Sequence, residues 1–478
     1  MNRTLLLLSA AGLLALGALS LGRPPAPAPA PPPPVTDTSH TVSRPEDPPA
    51  TAELPLVSSE PSEGALTLSG KLSGGYVHTG QSEAFAWMEL KARPAPPGRR
   101  VPVNLALVVD RSGSMAGQKH QDAQRAAMEL VRRLTPEDRL ALVHYGTDVM
   151  VVPSRLVTQE VRQDLLMRIQ GIYSDGSTNL SGALHQADSI LRPFLREFKV
   201  SRAILLSDGQ PTTGITSEPE LLRATRAMRD QGITVSALGV GEDFNAALMR
   251  GMAEQGGGFS GFIDDSARLS EVFSRELDQA TSTVARQVEL RLALPPHVLD
   301  AEVLGLPSSR EGSVVKVPLY DLAGEQTVRV VVKLTLSAPA STGPLPMLSA
   351  TAHYVDVARD LPAQTTLSLK AGVTDDAAVV RASLDKDVRV HAVRALGTQQ
   401  MRAAVKEMQL GNRTAAVGLL SNARRLFGSS ASSLSGELAE LDQAEAAYGN
   451  AANDGDVRRE SLNLYKKTMK NFGENNAY

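Results

Sequence analysis

The sequence predicts an α/β protein in which a doubly wound, mainly parallel sheet is inserted into a β-sandwich-type domain, with a helical C-terminal region. Three observations carry this prediction. Between residues 101 and 284, short apolar runs alternate with amphipathic helical segments, as in a parallel sheet covered by helices on both faces. On both sides of this segment, apolar residues recur at every second position, as in strands with one buried face. From residue 373 onward the apolar spacing is helical.

The composition indicates a folded protein and limits the kinds of partner. The chain has 478 residues, 42% of them hydrophobic, so it can form real cores in about two to four domains. A formal net charge of -3, without a long Lys/Arg block, argues against nucleic acid as the main partner. The sequence contains no cysteine, which excludes disulfides, thiolate zinc sites, a cysteine nucleophile and a lipid-modified N-terminal cysteine.

Residues 1–22 have the features of a signal peptide. Arg3 supplies the positive charge, residues 5–21 form an apolar run, and Ala18-Leu19-Ser20 offers small residues for cleavage. These features predict export to the periplasm, the cell envelope or the extracellular space. Because the run approaches the minimum length that spans a bilayer, an uncleaved N-terminal membrane tether is the alternative.

Residues 23–63 predict a linker. They begin with alternating Pro and Ala, continue through a run of prolines, and become rich in Ser, Thr, Pro and Glu. Such a segment favours an extended polyproline II conformation and acts as a stiff spacer. Its position behind an export signal indicates a domain held away from a membrane or wall, and a linker without further role is the alternative.

Residues 64–100 and 285–372 predict the strands of one β-rich domain. Trp87, the only tryptophan, is predicted to anchor its core. The apolar positions of the period-2 pattern are Leu66, Leu68, Ala84, Ala86, Met88 and Leu90 in the first part, and Val288, Leu290, Leu292, Leu294, Val328, Val330, Val332, Leu334 and Leu336 in the second. Because both parts share this pattern, we predict that the segment between them is an inserted domain.

Residues 101–284 predict strands that alternate with helices. The predicted strands are 103–109, 139–145, 148–152, 202–207, 233–239 and 258–263. The predicted helices are one rich in Ala123, Ala126, Ala127 and Leu130, followed by 160–172, 180–198, 219–231, 245–255 and 266–284.

An oxygen-rich loop follows the first strand of this segment directly. It reads Asp110-Arg111-Ser112-Gly113-Ser114 and lies at the predicted carboxyl end of a buried strand, where open α/β sheets bind ligands. One carboxylate and two hydroxyls at alternating positions are hard oxygen ligands that suit Mg²⁺ or Mn²⁺. Ser and Asp are also ordinary N-cap residues, so the alternative is that they merely start the next helix.

This segment resembles the metal-ion-dependent adhesion site of the von Willebrand factor type A (VWA) family. The family's second loop supplies a threonine, which matches Thr178 within residues 175–179, and its third loop supplies an aspartate after a buried strand, which matches Asp208. Asp175 is interpreted as a turn residue outside the site. The resemblance implies that an Mg²⁺ or Mn²⁺ ion is held by the following side chains: Asp110, Ser112, Ser114, Thr178 and Asp208. The flanking β-structure is similar to that of bacterial and inter-α-inhibitor-like VWA proteins.

The resemblance implies binding rather than catalysis. Neutral hydroxyls leave the cation under-neutralised, so its open position can accept an Asp or Glu of a partner protein, in adhesion or envelope assembly. The alternative is an envelope scaffold in which the metal only stabilises the loops. We expect no enzyme, because the sequence has neither an H-E-x-x-H motif, a nucleophile elbow nor a P-loop. A serine-hydrolase triad of Asp110, Ser112 and His120 is a poor candidate without that elbow.

Residues 373–478 predict four helical segments, at 379–408, 415–427, 437–448 and 457–472. One interpretation is a partner-binding helical tail. The interpretation that we favour is a helical bundle packed on the β-rich domain, because the segment has no strict internal period.

Overall fold

The computed structural model describes residues 57–59, 64–96, 98, 100–208, 210–241, 244–263, 265–341, 343–450 and 454–471. These residues belong to one compact unit. The predicted signal peptide and nearly all of the predicted linker lie outside the described residues. No helix in the described part of the chain is long and apolar enough to cross a membrane.

Four strands precede the central domain. They are β1 (Val57–Ser59), β2 (Leu66–Leu72), β3 (Tyr76–His78) and β4 (Gly80–Ala92). The even-numbered residues from Ala84 to Leu90 in β4 are buried, as the period-2 pattern predicts.

The central domain follows in the order β5 (Val103–Asp110), α1 (Gln118–Arg133), β6 (Arg139–Tyr145), β7 (Val149–Leu156), α2 (Gln159–Gln170), α3 (Leu180–Leu191), β8 (Val200–Ser207), α4 (Glu218–Asp230), β9 (Ile233–Val240), α5 (Ala246–Gly256), β10 (Gly257–Ile263) and α6 (Leu269–Thr281). The six strands form one sheet in the order β10-β9-β8-β5-β6-β7, in which only β7 is antiparallel to its neighbour. The helix predicted over 180–198 ends early, at Leu191, and Pro193 lies in the 3-10 turn that follows.

Helices cover both faces of this sheet. Leu105 and Leu107 pack into a buried cluster with α1, α2 and α6, while Ala106 and Val108 pack into a second cluster with α3, α4 and α5. Because successive side chains of a strand point to opposite faces, a strand buried at every position needs a cover on each side. The prediction of a doubly wound, mainly parallel sheet is confirmed.

Eight further strands follow, namely β11 (Thr283–Ala293), β12 (Val298–Leu304), β13 (Ser309–Glu311), β14 (Val314–Pro318), β15 (Leu322–Ala323), β16 (Thr327–Ala338), β17 (Leu345–Asp356) and β18 (Leu361–Thr374). One sheet has the order β12-β16-β4-β2, and the other has the order β1-β18-β17-β11-β14-β13, with β15 beside β11 and β3 beside β18. Both sheets contribute to one buried core. Since strands from before and after the central domain share both sheets, that domain is inserted in a β-sandwich, as predicted.

The C-terminal helices are α7 (Ala377–Ala382), α8 (Lys386–Gln409), α9 (Arg413–Gly428), α10 (Ser435–Asn450) and α11 (Asp454–Asn471). Helix α8 lies against β4 and β16 of the sandwich. Leu462 of α11 joins a buried cluster of the central domain, and the Tyr465 hydroxyl lies 2.8 Å from Nη1 of Arg250. The helical region therefore contacts both domains rather than the β-sandwich alone.

The prediction that Trp87 anchors the β-sandwich core is wrong. Its ring is only partly buried and stacks on His391 of α8, with ring centroids 5.5 Å apart. In β4 the core-facing positions are even-numbered, so an odd-numbered residue must point to the opposite face. Trp87 joins the sandwich to the helical region.

Candidate metal site

Two carboxylates meet at the carboxyl edge of the central sheet. Asp110 is the last residue of β5, and Asp208 directly follows β8. These strands are adjacent and parallel, with Val109 opposite Leu206, so both carboxylates arrive at the same edge. The structure therefore brings together side chains that are 98 positions apart because two neighbouring apolar strands end at the same level.

Hydrogen bonds connect four of the five predicted ligands. Oδ1 of Asp110 accepts a hydrogen bond from the Ser112 amide at 2.8 Å, and Oδ2 accepts one from the Ser207 hydroxyl at 2.6 Å. The hydroxyls of Ser112 and Ser114 lie 3.1 Å apart, and Ser114 donates to Oδ1 of Asp208 at 2.7 Å. Oxygen atoms of both loops thus form one continuous network.

The second loop packs directly on the first. The Gly113 amide donates to the Gly176 carbonyl at 3.0 Å, and the buried Thr178 follows two residues later. The Thr178 amide donates to the hydroxyl of Thr212 at 2.9 Å, which ties the second loop to the third. Asp175 is exposed, and its backbone amide donates a hydrogen bond to the Arg111 carbonyl at 2.7 Å. This agrees with its interpretation as a turn residue.

Burial sets the electrostatics of the site. Asp110, Ser112, Thr178 and Asp208 are buried, whereas Ser114 is exposed and marks the side from which a ligand could approach. Burial raises the pKa of Asp110, and the hydrogen bonds from Ser207 and Ser112 act in the opposite direction. A buried carboxylate gains most from a nearby cation, because the interior screens charge poorly.

Lys119 is a member of the site that the sequence did not single out. Its Nζ lies 2.6 Å from Oδ2 of Asp208. A Cβ at Gly241 would lie 3.0 Å from that nitrogen, so the glycine leaves room for the lysine. Ser207 was missed in the same way. The available signals were the position of Lys119 in the first turn of α1 and that of Ser207 next to Asp208.

The predicted alternative of helix capping is not what these side chains do. Helix α1 begins at Gln118, and its N-cap is Gly117. Ser112 precedes a 3-10 turn over Gly113–Met115 without capping it through its side chain. The hydroxyls of Ser112 and Ser114 instead bond to each other.

The candidate catalytic triad is not assembled. His120 Nε2 lies 2.8 Å from the Ile172 carbonyl, and the Ser112 hydroxyl has Ser114 as its hydrogen-bond partner.

A second histidine near the site is uncharged. Burial, followed by the charge of Arg111, lowers the pKa of His144 to about 4, so this imidazole is neutral at physiological pH.

The donor set fits a small hard cation. For ligands 2.0–2.1 Å from an octahedral ion, neighbouring oxygens lie about 3.0 Å apart, close to the separation of the two serine hydroxyls. That separation is 3.1 Å, between Ser112 and Ser114. Over the described ranges, no group of three or more His, Cys, Asp or Glu side chains is placed to hold a metal ion, and the proposed donor set consists of two carboxylates and three hydroxyls.

The fold and the site define an α/β domain with an oxygen-rich binding edge, and comparison with known proteins gives its family. Residues 104–275 match the model of the von Willebrand factor type A domain. The chain therefore contains a VWA domain over these residues. The resemblance inferred from the three loops is thereby confirmed, and domains of this family often mediate interactions between proteins.

Sequence relatives match part of the chain. The uncharacterized protein sll0103 of Synechocystis is 28% identical over 251 residues, 50% of this chain and 58% of that protein. The protein YfbK of Escherichia coli is 27% identical over 196 residues, 40% and 34% of the two chains. Human inter-alpha-trypsin inhibitor heavy chain H4 is 30% identical over 194 residues, 38% and 21%. The chain thus spans between about a fifth and three fifths of these relatives.

Two solved structures share the fold over most of the chain. A von Willebrand factor type A protein from Catenulispora acidiphila has a TM-score of 0.66 at 16% identity and covers 85% of this chain and 97% of its own. The ArnB paralog VWA2 from Sulfolobus acidocaldarius has a TM-score of 0.57 at 18% identity, with 85% and 98% covered. The similarity therefore extends beyond the inserted domain.

Proposed function

We propose that this protein binds a partner protein through a divalent cation, Mg²⁺ or Mn²⁺, in adhesion or envelope assembly. The residues that would hold the ion are Asp110, Ser112, Ser114, Thr178 and Asp208. The observation that supports this most directly is the network that joins Ser112, Ser114 and Asp208 through oxygen-to-oxygen distances of 3.1 and 2.7 Å.

Each residue has a distinct part in this proposal. Asp110 is fixed by the Ser112 amide and the Ser207 hydroxyl, so it orients the loop, and the exposed Ser114 lies on the approach side. When bound, the cation would supply a position that accepts a carboxylate oxygen. The partner is accordingly a protein that presents Asp or Glu.

We further propose that the protein is a binding protein rather than an enzyme. The hydroxyl nearest to Asp110 along the loop, that of Ser112, is bonded to Ser114, and His120 is directed to a main-chain carbonyl. A general base must reach the proton that it abstracts, and neither group supports such a reaction. Export is part of the same proposal and rests on residues 1–22, which serve either as a cleaved signal peptide or as an N-terminal tether.

A structural scaffold is the second candidate. The observation that favours it is the bridging position of the helical region, which contacts the sandwich through α8 and the central domain through Leu462 and Tyr465 of α11. In that case the metal would only stabilise the loops, and partners would bind elsewhere.

Affinity capture tests the proposal. The tagged full-length chain is incubated with envelope extract of the source organism in Mg²⁺ or in chelator, beside an Asp208→Ala variant and an exposed control, Asp300→Ala. Thermal unfolding verifies that each variant is folded. We expect partners to be retained by the wild type and the control in Mg²⁺ only. Partners retained in chelator and by Asp208→Ala would contradict the proposal and favour the scaffold.

A further inference from the structure

Arg111 is a buried cation beside the candidate metal site. It lies between two of the proposed ligands in sequence, and only 8% of its surface is exposed. Its Nη1 donates to the Asp175 carbonyl at a long 3.4 Å, and its Nε has no hydrogen-bond partner. Among the residues that the structure describes, no carboxylate pairs with this guanidinium. Burying a charge without a counter-ion costs free energy, so the position favours an anion.

An exposed tyrosine packs on Arg111. Tyr173 is 68% exposed, and its ring centroid lies 5.6 Å from the guanidinium carbon. A Cβ at Gly146 would lie 2.3 Å from the Asp175 carbonyl and 3.5 Å from the guanidinium, so glycine lets the backbone pack closely against both. The Tyr173 ring thus makes a cation–π contact with the guanidinium while most of its own surface faces solvent.

We propose that Arg111 is a second anion-recognition residue and that the ligand carries two acidic side chains close together. One carboxylate would occupy the metal position, and the other would bind Arg111 once the ring of Tyr173 moves aside. This inference rests on the proposed function, since it names the chemistry of the same partner. Arginine suits this role because its planar fork binds a carboxylate through two parallel hydrogen bonds.

The loop indicates which spacings of the two acids to test. Arg111 is adjacent to both Asp110 and Ser112, and consecutive Cα atoms are about 3.8 Å apart. Because the guanidinium and the proposed ligands extend from neighbouring positions of one loop, acidic residues that are neighbours or are separated by one residue are the spacings to test.

Labelled peptides test the inference. Fluorescein-labelled Gly/Ser peptides carry either one Glu, two adjacent Glu or two Glu separated by one residue. Fluorescence anisotropy gives their affinities for the full-length wild type, Arg111→Gln, Asp208→Asn and Arg132→Gln, in Mg²⁺ and in chelator. Arg132 is exposed at the far end of α1, so its variant makes the same charge change away from the site.

We expect a peptide with two Glu to bind the wild type at least about tenfold more tightly than the peptide with one, as for a hydrogen bond to a charged group. Arg111→Gln should abolish this advantage, whereas Arg132→Gln should preserve it. An advantage that is absent, or that survives in Arg111→Gln, would overturn the inference. Peptide affinities that are equal in Mg²⁺ and in chelator, and equal in the wild type and Asp208→Asn, would instead contradict the proposed function.

Thermal unfolding distinguishes recognition from a structural role. If Arg111 serves recognition, Arg111→Gln removes an uncompensated buried charge and leaves the melting temperature equal or higher. If Arg111 mainly holds the loop through the Asp175 carbonyl, the melting temperature falls by several degrees, and the inference is overturned. This second readout applies even if the peptides bind too weakly to be measured.

Discussion

The ammonium nitrogen of Lys119 lies 2.6 Å from Oδ2 of Asp208, while Oδ1 of the same carboxylate accepts a hydrogen bond from Ser114. A positive charge of the chain itself thus faces a carboxylate that we assign to the metal. The Lys119 side chain is 33% exposed, so water can solvate it if it is displaced. Lysine would therefore compete with a divalent cation for the charge of Asp208.

Replacing this lysine should strengthen metal binding. We expect Lys119→Met to lower the dissociation constant for Mg²⁺ by about fivefold, since two unit charges 4 Å apart in water interact by about 1 kcal/mol. Isothermal titration calorimetry measures this constant, with the exposed Lys91→Met as the matched control. An unchanged or weaker affinity in Lys119→Met would show that the two cations do not compete.

The second loop depends on a glycine in the left-handed region. Gly176 has φ +83°, and a Cβ there would lie 2.6 Å from the Thr147 hydroxyl. We expect Gly176→Ala to lower the free energy of unfolding by roughly 1–2 kcal/mol and to weaken Mg²⁺ binding, because Thr178 is displaced. Gly312→Ala is the control: Gly312 has φ +61°, and an added Cβ would have no atom within 4 Å, so alanine introduces backbone strain there without a clash. Equal Mg²⁺ affinities in the two alanine variants would contradict this account of the loop.

A buried ion pair supports the strand that leads to the site. Nη1 of Arg202 in β8 lies 3.2 Å from Oε2 of Glu276 in α6, with side-chain exposures of 4% and 1%. We expect Glu276→Ala to lower the free energy of unfolding by about 3–5 kcal/mol, because the arginine is left buried without a partner. Chemical denaturation gives this value.

Two comparisons check that explanation. The double variant Arg202→Met/Glu276→Leu should recover most of the lost stability, since it leaves no unpaired charge. Asp278, on the same helix as Glu276, forms an exposed ion pair with Arg133 of α1. Asp278→Ala breaks this pair and should lower the free energy of unfolding by about 1 kcal/mol or less. Similar losses in Glu276→Ala and Asp278→Ala would mean that burial does not determine the energy of these pairs.

His144 should make stability depend on pH. Burial, with Arg111 as a second cause, lowers its pKa from 6.5 to about 4. The unfolded chain then binds the proton more tightly, so the free energy of unfolding decreases as the pH falls from 6.5 toward 4. Urea denaturation at pH 7 and pH 5 should show a smaller loss for His144→Gln than for the wild type. An identical loss in both proteins would assign the pH dependence to other groups.

The sequence predicted the parts of the fold that depend on local pattern. The apolar runs 105–109 in β5 and 203–206 in β8 end within two residues of Asp110 and Asp208, so the strands and the level at which their carboxylates emerge could both be predicted. The flanking strands were readable from their period of two. The sequence did not predict which elements pack together, because a hydrophobic pattern indicates the buried face of an element but not the element that covers it.

Side-chain contacts across elements show that limit. The period-2 pattern places Trp87 on the face of β4 that points away from the sandwich core. Its contact with His391 depends on the position of α8, which the pattern does not give. Lys119 and Ser207 reach the site from a helix and a strand end, and neither belongs to a motif. Tyr465 meets Arg250 across 215 positions, a contact that requires the whole helical region to be placed.

The central claim is that these loops hold a divalent cation through which a partner binds. Isothermal titration of Mg²⁺ and Mn²⁺ into the full-length chain tests it most directly, with Asp110→Asn and Asp208→Asn as site variants and Asp300→Asn as the exposed control. The account predicts one bound ion per chain in the wild type and the control, and its loss in both site variants, which remain folded. Absence of binding in the folded wild type, or equal binding in all four proteins, would contradict it.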